Sequence, residues 1–333
     1  MKRILAISLA LLASAALFFG AFFIRPDSGN TDGKYKLGMG TAVTIESDNA
    51  EKDGAGASVT TVAVITDGAG KIVDCAVDCG QYKIKLDEVK AGGKGDNYTT
   101  KNELGDDYNM VAYSGGAAIA EWYAQAEYFA EYVKGKNAKE ATLIDLNGGK
   151  SGDADLLAGC TIDITDFKAA LVKAMGDTLA VEFESEKTPS ISLAFINGDS
   201  VGELKEGAYP TKMTTDMAAV ATLDGKVLAA ICDVAETTVS YLEDGTLDGV
   251  SYGGTKREKL DSYGMKGNSG ISAEWYEQSY NFCSYIKGMT ASEIAAIAMG
   301  EDGKAANADL LAGCTVYVGD FIKIAEKAAK AAK

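Results

Sequence analysis

The sequence predicts an α+β protein made of two tandem copies of one small domain. Each copy has a largely antiparallel sheet and packed helices, and an N-terminal apolar helix precedes both. Three observations carry that prediction. Glu121-Trp122-Tyr123-Ala124-Gln125 recurs as Glu274-Trp275-Tyr276-Glu277-Gln278, and Ala154 to Thr161 recurs without change as Ala308 to Thr315. Strand-type and helix-type patterns fall in separate blocks, whereas βαβ folds alternate them. Lys2 and Arg3 precede 21 uncharged, mostly apolar residues, Ile4 to Ile24. A repeat of about 150 residues is a duplicated domain, since solenoid units run about 20–45.

The first element is the segment 1–27. As a helix it is about 30 Å long, enough to cross a bilayer. The positive charge before it places the N-terminus inside and the rest of the chain outside the cytoplasm. A retained signal anchor is the favoured reading. A cleaved signal peptide would be cut near Ala13-Ser14-Ala15, leaving Leu17, Phe18, Phe19 and Phe22 at a mature end. The membrane is thus an expected partner through this helix.

Copy one spans 34–176 and copy two 190–333, with the charged stretch Glu182 to Lys187 and Pro189 as the joint. Each copy opens with a hairpin. Val59 to Ile65 leads through Asp67-Gly68 into Lys71 to Cys79, and Ala218 to Leu223 leads through Asp224-Gly225 into Lys226 to Val234. Asp-Gly between apolar runs is a strong hairpin signal. Alternation puts Val73, Cys75, Val77 and Cys79 on one strand face. Their repeat partners are Leu228, Ala230, Cys232 and Val234. An amphipathic helix follows, with Trp122, Ala126, Phe129 and Val133 on one stripe, repeated by Trp275, Ser279, Phe282 and Ile286. Gly135 and Gly288 are its expected C-caps. After the unchanged stretch, Ile162 and Ile164, or Val316 and Val318, suggest a short strand. Asp166 and Asp320 then read as N-caps of a final helix.

Composition limits the chemistry. There is no His, which excludes a Ser-His-Asp triad, a Cys-His pair and an H-E-x-x-H zinc site. The net charge of −16 argues against nucleic acid, because phosphate contacts need clustered Lys and Arg. No acid pair recurs at a spacing that suggests hydrolysis, so no catalytic residue is assigned. Asp145, Asn147, Gly149, Ser151 and Asp153 alternate like a calcium loop, but the position needing Glu is Leu156, so no metal is expected. Of the six Cys, only Cys160 and Cys314 recur in both copies. The rest exchange with Ala or Val between copies, as small buried side chains do.

The unchanged stretch contains the strongest candidate site. Asp155-Leu156-Leu157-Ala158-Gly159-Cys160-Thr161 and Asp309 to Thr315 read D-x-x-A-G-C-T. This resembles the FMN-binding domain family. That family includes the C subunit of sodium-translocating quinone reductase, the G subunit of the Rnf complex, and tandem flavin-carrying surface proteins of Gram-positive bacteria. The family motif is D-x-x-S-G-A-T, whose last Thr carries FMN through a phosphodiester installed by a flavin transferase. The resemblance implies FMN binding by Asp155, Gly159 and Thr161, and by Asp309, Gly313 and Thr315, with Thr161 and Thr315 as covalent attachment points. Ala158 and Ala312 stand where the family has Ser, and Cys160 and Cys314 where it has Ala. Lys101 and Lys256, from the recurring T-K-x-E, face either the phosphate or solvent. Tyr123 and Tyr276 reach a ring slot, while Trp122 and Trp275 serve as core or slot. The function so implied is an extracytoplasmic, membrane-anchored electron carrier, working with a redox partner protein and a flavin transferase. The alternative is a flavin-free surface binding or structural module that kept the fold.

Overall fold

The computed structural model describes residues 32–49, 54–93, 99–269 and 271–332. The apolar segment 1–27 lies outside the described residues. Among those described, no helix is long and apolar enough to cross a membrane.

Residues 32–333 form one compact unit. Its first half runs through strands β1 Lys34–Asn49, β2 Gly54–Asp67 and β3 Ile72–Ile84, then helices α1 Leu86–Lys90, α2 Lys101–Leu104, α3 Met110–Tyr113, α4 Trp122–Val133 and α5 Ala138–Thr142. A two-residue ladder of β4 Leu146–Asn147 and β5 Lys150–Ser151 leads to α6 Ala154–Leu157 and α7 Thr165–Met175. The second half has strands β6 Val181–Glu184, β7 Ser190–Val201, β8 Ala208–Leu223, β9 Lys226–Leu242 and β10 Leu247–Thr255. Helices α8 Lys256–Lys259, α9 Met265–Ser269, α10 Trp275–Tyr285, α11 Ala291–Ala295, α12 Ala308–Gly313 and α13 Gly319–Ala331 complete it.

The fold is α+β with antiparallel pairing, as the sequence predicts. The strand orders are β3-β2-β1-β6 and β10-β9-β8-β7. The stretch read as a joint is therefore partly strand: β6 pairs with β1, Lys34 opposite Glu184.

Both faces of each sheet are covered. One apolar core, with Leu37, Ile65, Tyr82, Phe195, Met217 and Tyr241, lies between the two sheets. A second packs α4 and α7 on the outer face of the first sheet, and a third packs α10 and α13 on the second. The layers thus run helix, sheet, sheet, helix. This explains why β2 is buried along nearly its whole length instead of alternating. Two tyrosine hydroxyls between the sheets are paired. The Tyr82 and Thr237 hydroxyls share a bond of 3.2 Å, and Tyr241 donates to the Ile84 carbonyl at 2.8 Å. Leaving such hydroxyls unpaired would cost about 1–3 kcal/mol each. Gly38 and Gly40 let α7 lie directly on β1, since a Cβ at either would fall 2.3 Å from a helix carbonyl oxygen.

Four local expectations change. A bulge between Ile65 and Thr66 rotates Val73 onto the intersheet core, while Cys75, Val77 and Cys79 stay under the helices. Leu228 is displaced in the same way by the shift between Ala221 and Thr222. Gly135 and Gly288 have positive φ, but their N–H groups donate to the Ile72 and Val227 carbonyls at 2.7 Å, stitching the helix end to a strand rather than closing the helix. Ile162 and Val316 lie in irregular backbone, not a strand, because Ile164 and Val318 turn inward to begin α7 and α13. Asp166 and Asp320 sit inside the first turn of those helices. Asp163, three residues before Asp166, takes the Thr165 N–H at 2.8 Å.

Candidate functional site

The repeated E-W-Y-x-Q segment opens α4 and α10, and each side chain has a defined contact. Glu121 accepts the backbone N–H groups of Met110 and Val111 at 2.7 and 3.0 Å. Glu274 does the same for Met265 and Lys266 at 2.8 and 3.0 Å. These bonds fix the short helices α3 and α9 against the start of α4 and α10. Trp122 and Trp275 are buried, each 5.5 Å from a Phe ring, Phe167 and Phe321 respectively. Tyr123 and Tyr276 point outward and donate to Asp106 and Asp261 at 3.2 and 3.3 Å. The Asp106 carboxylate raises the Tyr123 hydroxyl above its ordinary range.

The last letter of the motif holds the threonine. The Gln125 side chain is fully buried, and its Oε1 accepts the Thr161 N–H at 2.8 Å and the Thr161 hydroxyl at 3.2 Å. Its Nε2 donates to the Ala120 carbonyl at 2.7 Å, which fixes the amide's orientation. Gln278 repeats this with Thr315 at 2.7 and 3.1 Å, and takes the Val316 N–H as well at 3.1 Å. Each threonine is half-buried.

Lys101 and Lys256 sit over aromatic faces. The Lys101 ammonium is 5.1 Å from the Tyr108 centroid and 5.3 Å from Trp122. The Lys256 ammonium is 5.4 Å from Tyr263 and 5.5 Å from Trp275. Such cation–π contacts contribute about 0.5–2 kcal/mol. Trp122 and Gln125 are three residues apart, on one side of α4. Lysine, tryptophan, glutamine and threonine are thereby brought together in each half. The T-K-x-E pattern itself is a capping box: Thr100 takes the Glu103 N–H and Glu103 takes the Thr100 N–H, both at 3.2 Å. Thr255 and Glu258 do likewise. Beneath these caps lie Asp78 and Asp233, which accept the Asn102 and Arg257 N–H groups at 3.2 and 3.0 Å. Burial pushes their carboxyls up to about 7 and about 6.

Asp155 and Asp309 are not brought to the threonines. Both are exposed in the first turn of α6 and α12, whose caps are Asp153 and Asn307. Thr161 gives its hydroxyl to Gln125, not to Asp155. Gly159 and Gly313 are explained by packing. A Cβ at Gly159 would fall 2.2 Å from the Tyr128 ring, and one at Gly313 would lie 3.0 Å from Asn281. Cys160 and Cys314 are fully buried thiols, raised by burial to about 12 and about 11, and anchor the turn as apolar groups. All six cysteines are free and buried.

Gln125, Gln278, Glu121 and Glu274 are the residues that motif reading left unassigned. Their signal was present: the glutamine recurs 36 and 37 residues before the threonine. A cavity of about 480 Å³ beside α10 is bordered by Tyr276, Ser279, Tyr280 and Cys283, and by Leu179 and Arg257; neither threonine lines it.

No family model matches the chain, and no solved structure matches it significantly. Among curated proteins it is similar to the chlorophenol reductase of Desulfitobacterium hafniense, with 29% identity over 176 residues. The match covers 45% of this chain and 53% of that protein, so the chain spans about half the length of the relative.

Proposed function

We propose that the chain is an extracytoplasmic, membrane-anchored flavoprotein that carries electrons, with FMN held at Thr161 and Thr315. The observation that carries this reading is the same glutamine–threonine clamp in both halves. Gln125 and Gln278 take the hydroxyl hydrogen, so each threonine oxygen keeps its lone pairs for another partner. Gln125 also ties down the Thr161 N–H, so the hydroxyl is presented from a fixed backbone. The buried Trp122 and Trp275 place an apolar wall one turn away, and Lys101 and Lys256 bring a cation to that wall. Similarity to a protein named as a reductase agrees with a redox role. Bound FMN would supply the electron uptake and release. The residues that would hold it are Thr161, Gly159, Lys101 and Tyr123, with Thr315, Gly313, Lys256 and Tyr276. Asp155 and Asp309 would act from the rim.

The test is intact mass and visible absorbance after co-expression with a flavin transferase. The parent should carry flavin, and the Thr161→Ala plus Thr315→Ala variant should carry none. A parent protein without flavin under those conditions would overturn the reading. It would favour a second one, a flavin-free surface binding or structural module. That second reading is supported by Gly159 and Gly313, which packing against α4 and α10 accounts for without a ligand.

A further inference from the structure

We propose that Cys232 and Cys283 form a thiol pair that peroxide converts to a disulfide joining β9 to α10. Cys232 faces the helices from β9, Cys283 faces the sheet from α10, and both belong to the same core. Ser279 lies one turn before Cys283 on the same helix face, and its hydroxyl donates to the Cys232 carbonyl at 2.9 Å. That bond seats this face of α10 directly over Cys232. The neighbouring Cys283 side chain, together with burial, raises the Cys232 thiol above its ordinary range. Both residues border the cavity of about 480 Å³, which gives a small oxidant a route to otherwise buried sulfur. In the first half the equivalent residues are Val77 and Ala130, so the pair belongs to the second half alone.

The oxidant is hydrogen peroxide. One cysteine gives up its proton, its thiolate sulfur attacks one peroxide oxygen as the O–O bond breaks, the departing hydroxide takes that proton and leaves as water, and the sulfur becomes a sulfenic acid. The second thiol sulfur displaces the hydroxyl as another water, and the S–S bond forms. Two electrons pass from the sulfurs to the peroxide, and both thiol protons leave in water. The new bond fastens the helix that carries Gln278, and so the Thr315 clamp, to the sheet. Flavin is not required for the pair to react.

The test treats the native full chain with hydrogen peroxide, then unfolds it, alkylates it and maps peptides without reduction. A peptide pair linked through Cys232 and Cys283 is expected, separable by dithiothreitol, with Cys75, Cys79, Cys160 and Cys314 alkylated as thiols. Cys232→Val and Cys283→Ala copy the side chains that the first half uses at those positions, and each should abolish the linked pair. Recovery of both residues as thiols overturns the proposal. So does sulfinic acid at either without a link, or a link between any other pair.

Discussion

Lys173 on α7 of the first half forms an ion pair of 2.7 Å with Glu258, the capping-box glutamate of the second half. The relation is reciprocal. Lys327 on α13 of the second half pairs with Glu103, the capping-box glutamate of the first. Each lysine also donates to a strand carbonyl in its own half, Lys173 to Thr41 on β1 at 2.8 Å and Lys327 to Phe195 on β7 at 2.6 Å. This self-complementary exchange is the pattern of a two-fold interface, here built within one chain. It gives the recurring T-K-x-E a second duty: its glutamate caps α2 or α8 and fastens the other half.

Glu258→Ala should therefore cost more than Lys173→Met. The lysine change removes a half-exposed ion pair, worth about 0–1 kcal/mol. The glutamate change also removes a cap, worth about 1 kcal/mol more. Urea unfolding of the two variants checks the order, and equal losses would show that the cap contributes no more than the Lys173 bond to the Thr41 carbonyl.

Arg257 and Asp177 fasten the halves at one place only. Their ion pair is 2.7 Å long, with side chains 11% and 7% exposed, and Arg257 also donates to the Leu179 carbonyl. The repeat puts Asn102 where the second half has Arg257, so the contact has no counterpart. Arg257→Met should destabilise by about 3–5 kcal/mol, because it leaves a carboxylate buried without its cation. Asp177→Asn in the same background should restore part of that loss, since a neutral amide is cheaper to bury. Denaturant midpoints of the single and double variants decide it.

Gln125→Leu should be more damaging than Thr161→Ala. The glutamine change orphans both the N–H and the hydroxyl of Thr161, about 1–3 kcal/mol. Thr161→Ala keeps the stronger backbone bond. If the proposed function holds, the two variants also separate in flavin content: Thr161→Ala loses it outright in the first half, while Gln125→Leu lowers it by misplacing the hydroxyl. Thermal unfolding and intact mass are the readouts.

The fold class was legible because Asp67-Gly68 and Asp224-Gly225 mark hairpins, and the Trp122 and Trp275 stripes mark helices, all through local chemistry. The sheet-on-sheet layering was not. Nothing in β2 distinguishes a strand buried on both faces from a helix-covered one until Phe195 and Met217 arrive from the other half. Of the site, the D-x-x-A-G-C-T stretch was visible as a repeat, but the separation of its Asp155 from Thr161 and the Gln125 contact were not. A hydrogen bond spanning 36 residues has no local signature beyond its recurrence. Asp78 and Asp233 were hidden because a carboxylate inside an apolar strand reads as an exposed position until the cap above it is seen.

Gly159→Ala and Gly313→Ala should differ, although they alter identical sequence. The new methyl at 159 meets the Tyr128 ring at 2.2 Å, and Tyr128 is tied to the Asp155 carbonyl at 3.0 Å. At 313 it meets Asn281 at 3.0 Å, a smaller side chain that can shift, at some cost to its bond with the Gly313 carbonyl. We expect a loss of about 1–3 kcal/mol at 159 and less than half of that at 313. Parallel urea titrations check it, and equal losses would mean that Tyr128 moves as freely as Asn281.

Stability should fall as pH rises from about 5 to about 8. Asp78 and Asp233 have folded values near 7 and 6 against an ordinary 3.8, with burial as the main cause. Between those limits the folded state holds protons that the unfolded state has released, so raising the pH favours unfolding. A tenfold difference in proton affinity between the two states corresponds to about 1.4 kcal/mol, fully expressed only above the folded value. The opposing groups act at lower pH. Burial works against the Glu46 carboxylate, but Ser58, Gln81 and Lys83 together hold it below its ordinary value, and that support is lost on acidification. A maximum near pH 5 follows from the two trends together. Asp78→Asn keeps an acceptor for the Cys79 and Asn102 N–H groups and removes one titration. It should match the parent near pH 5 and exceed it at pH 8. A parent whose urea midpoint is flat across that range would show that Asp78 and Asp233 are ionised in the folded state at no cost.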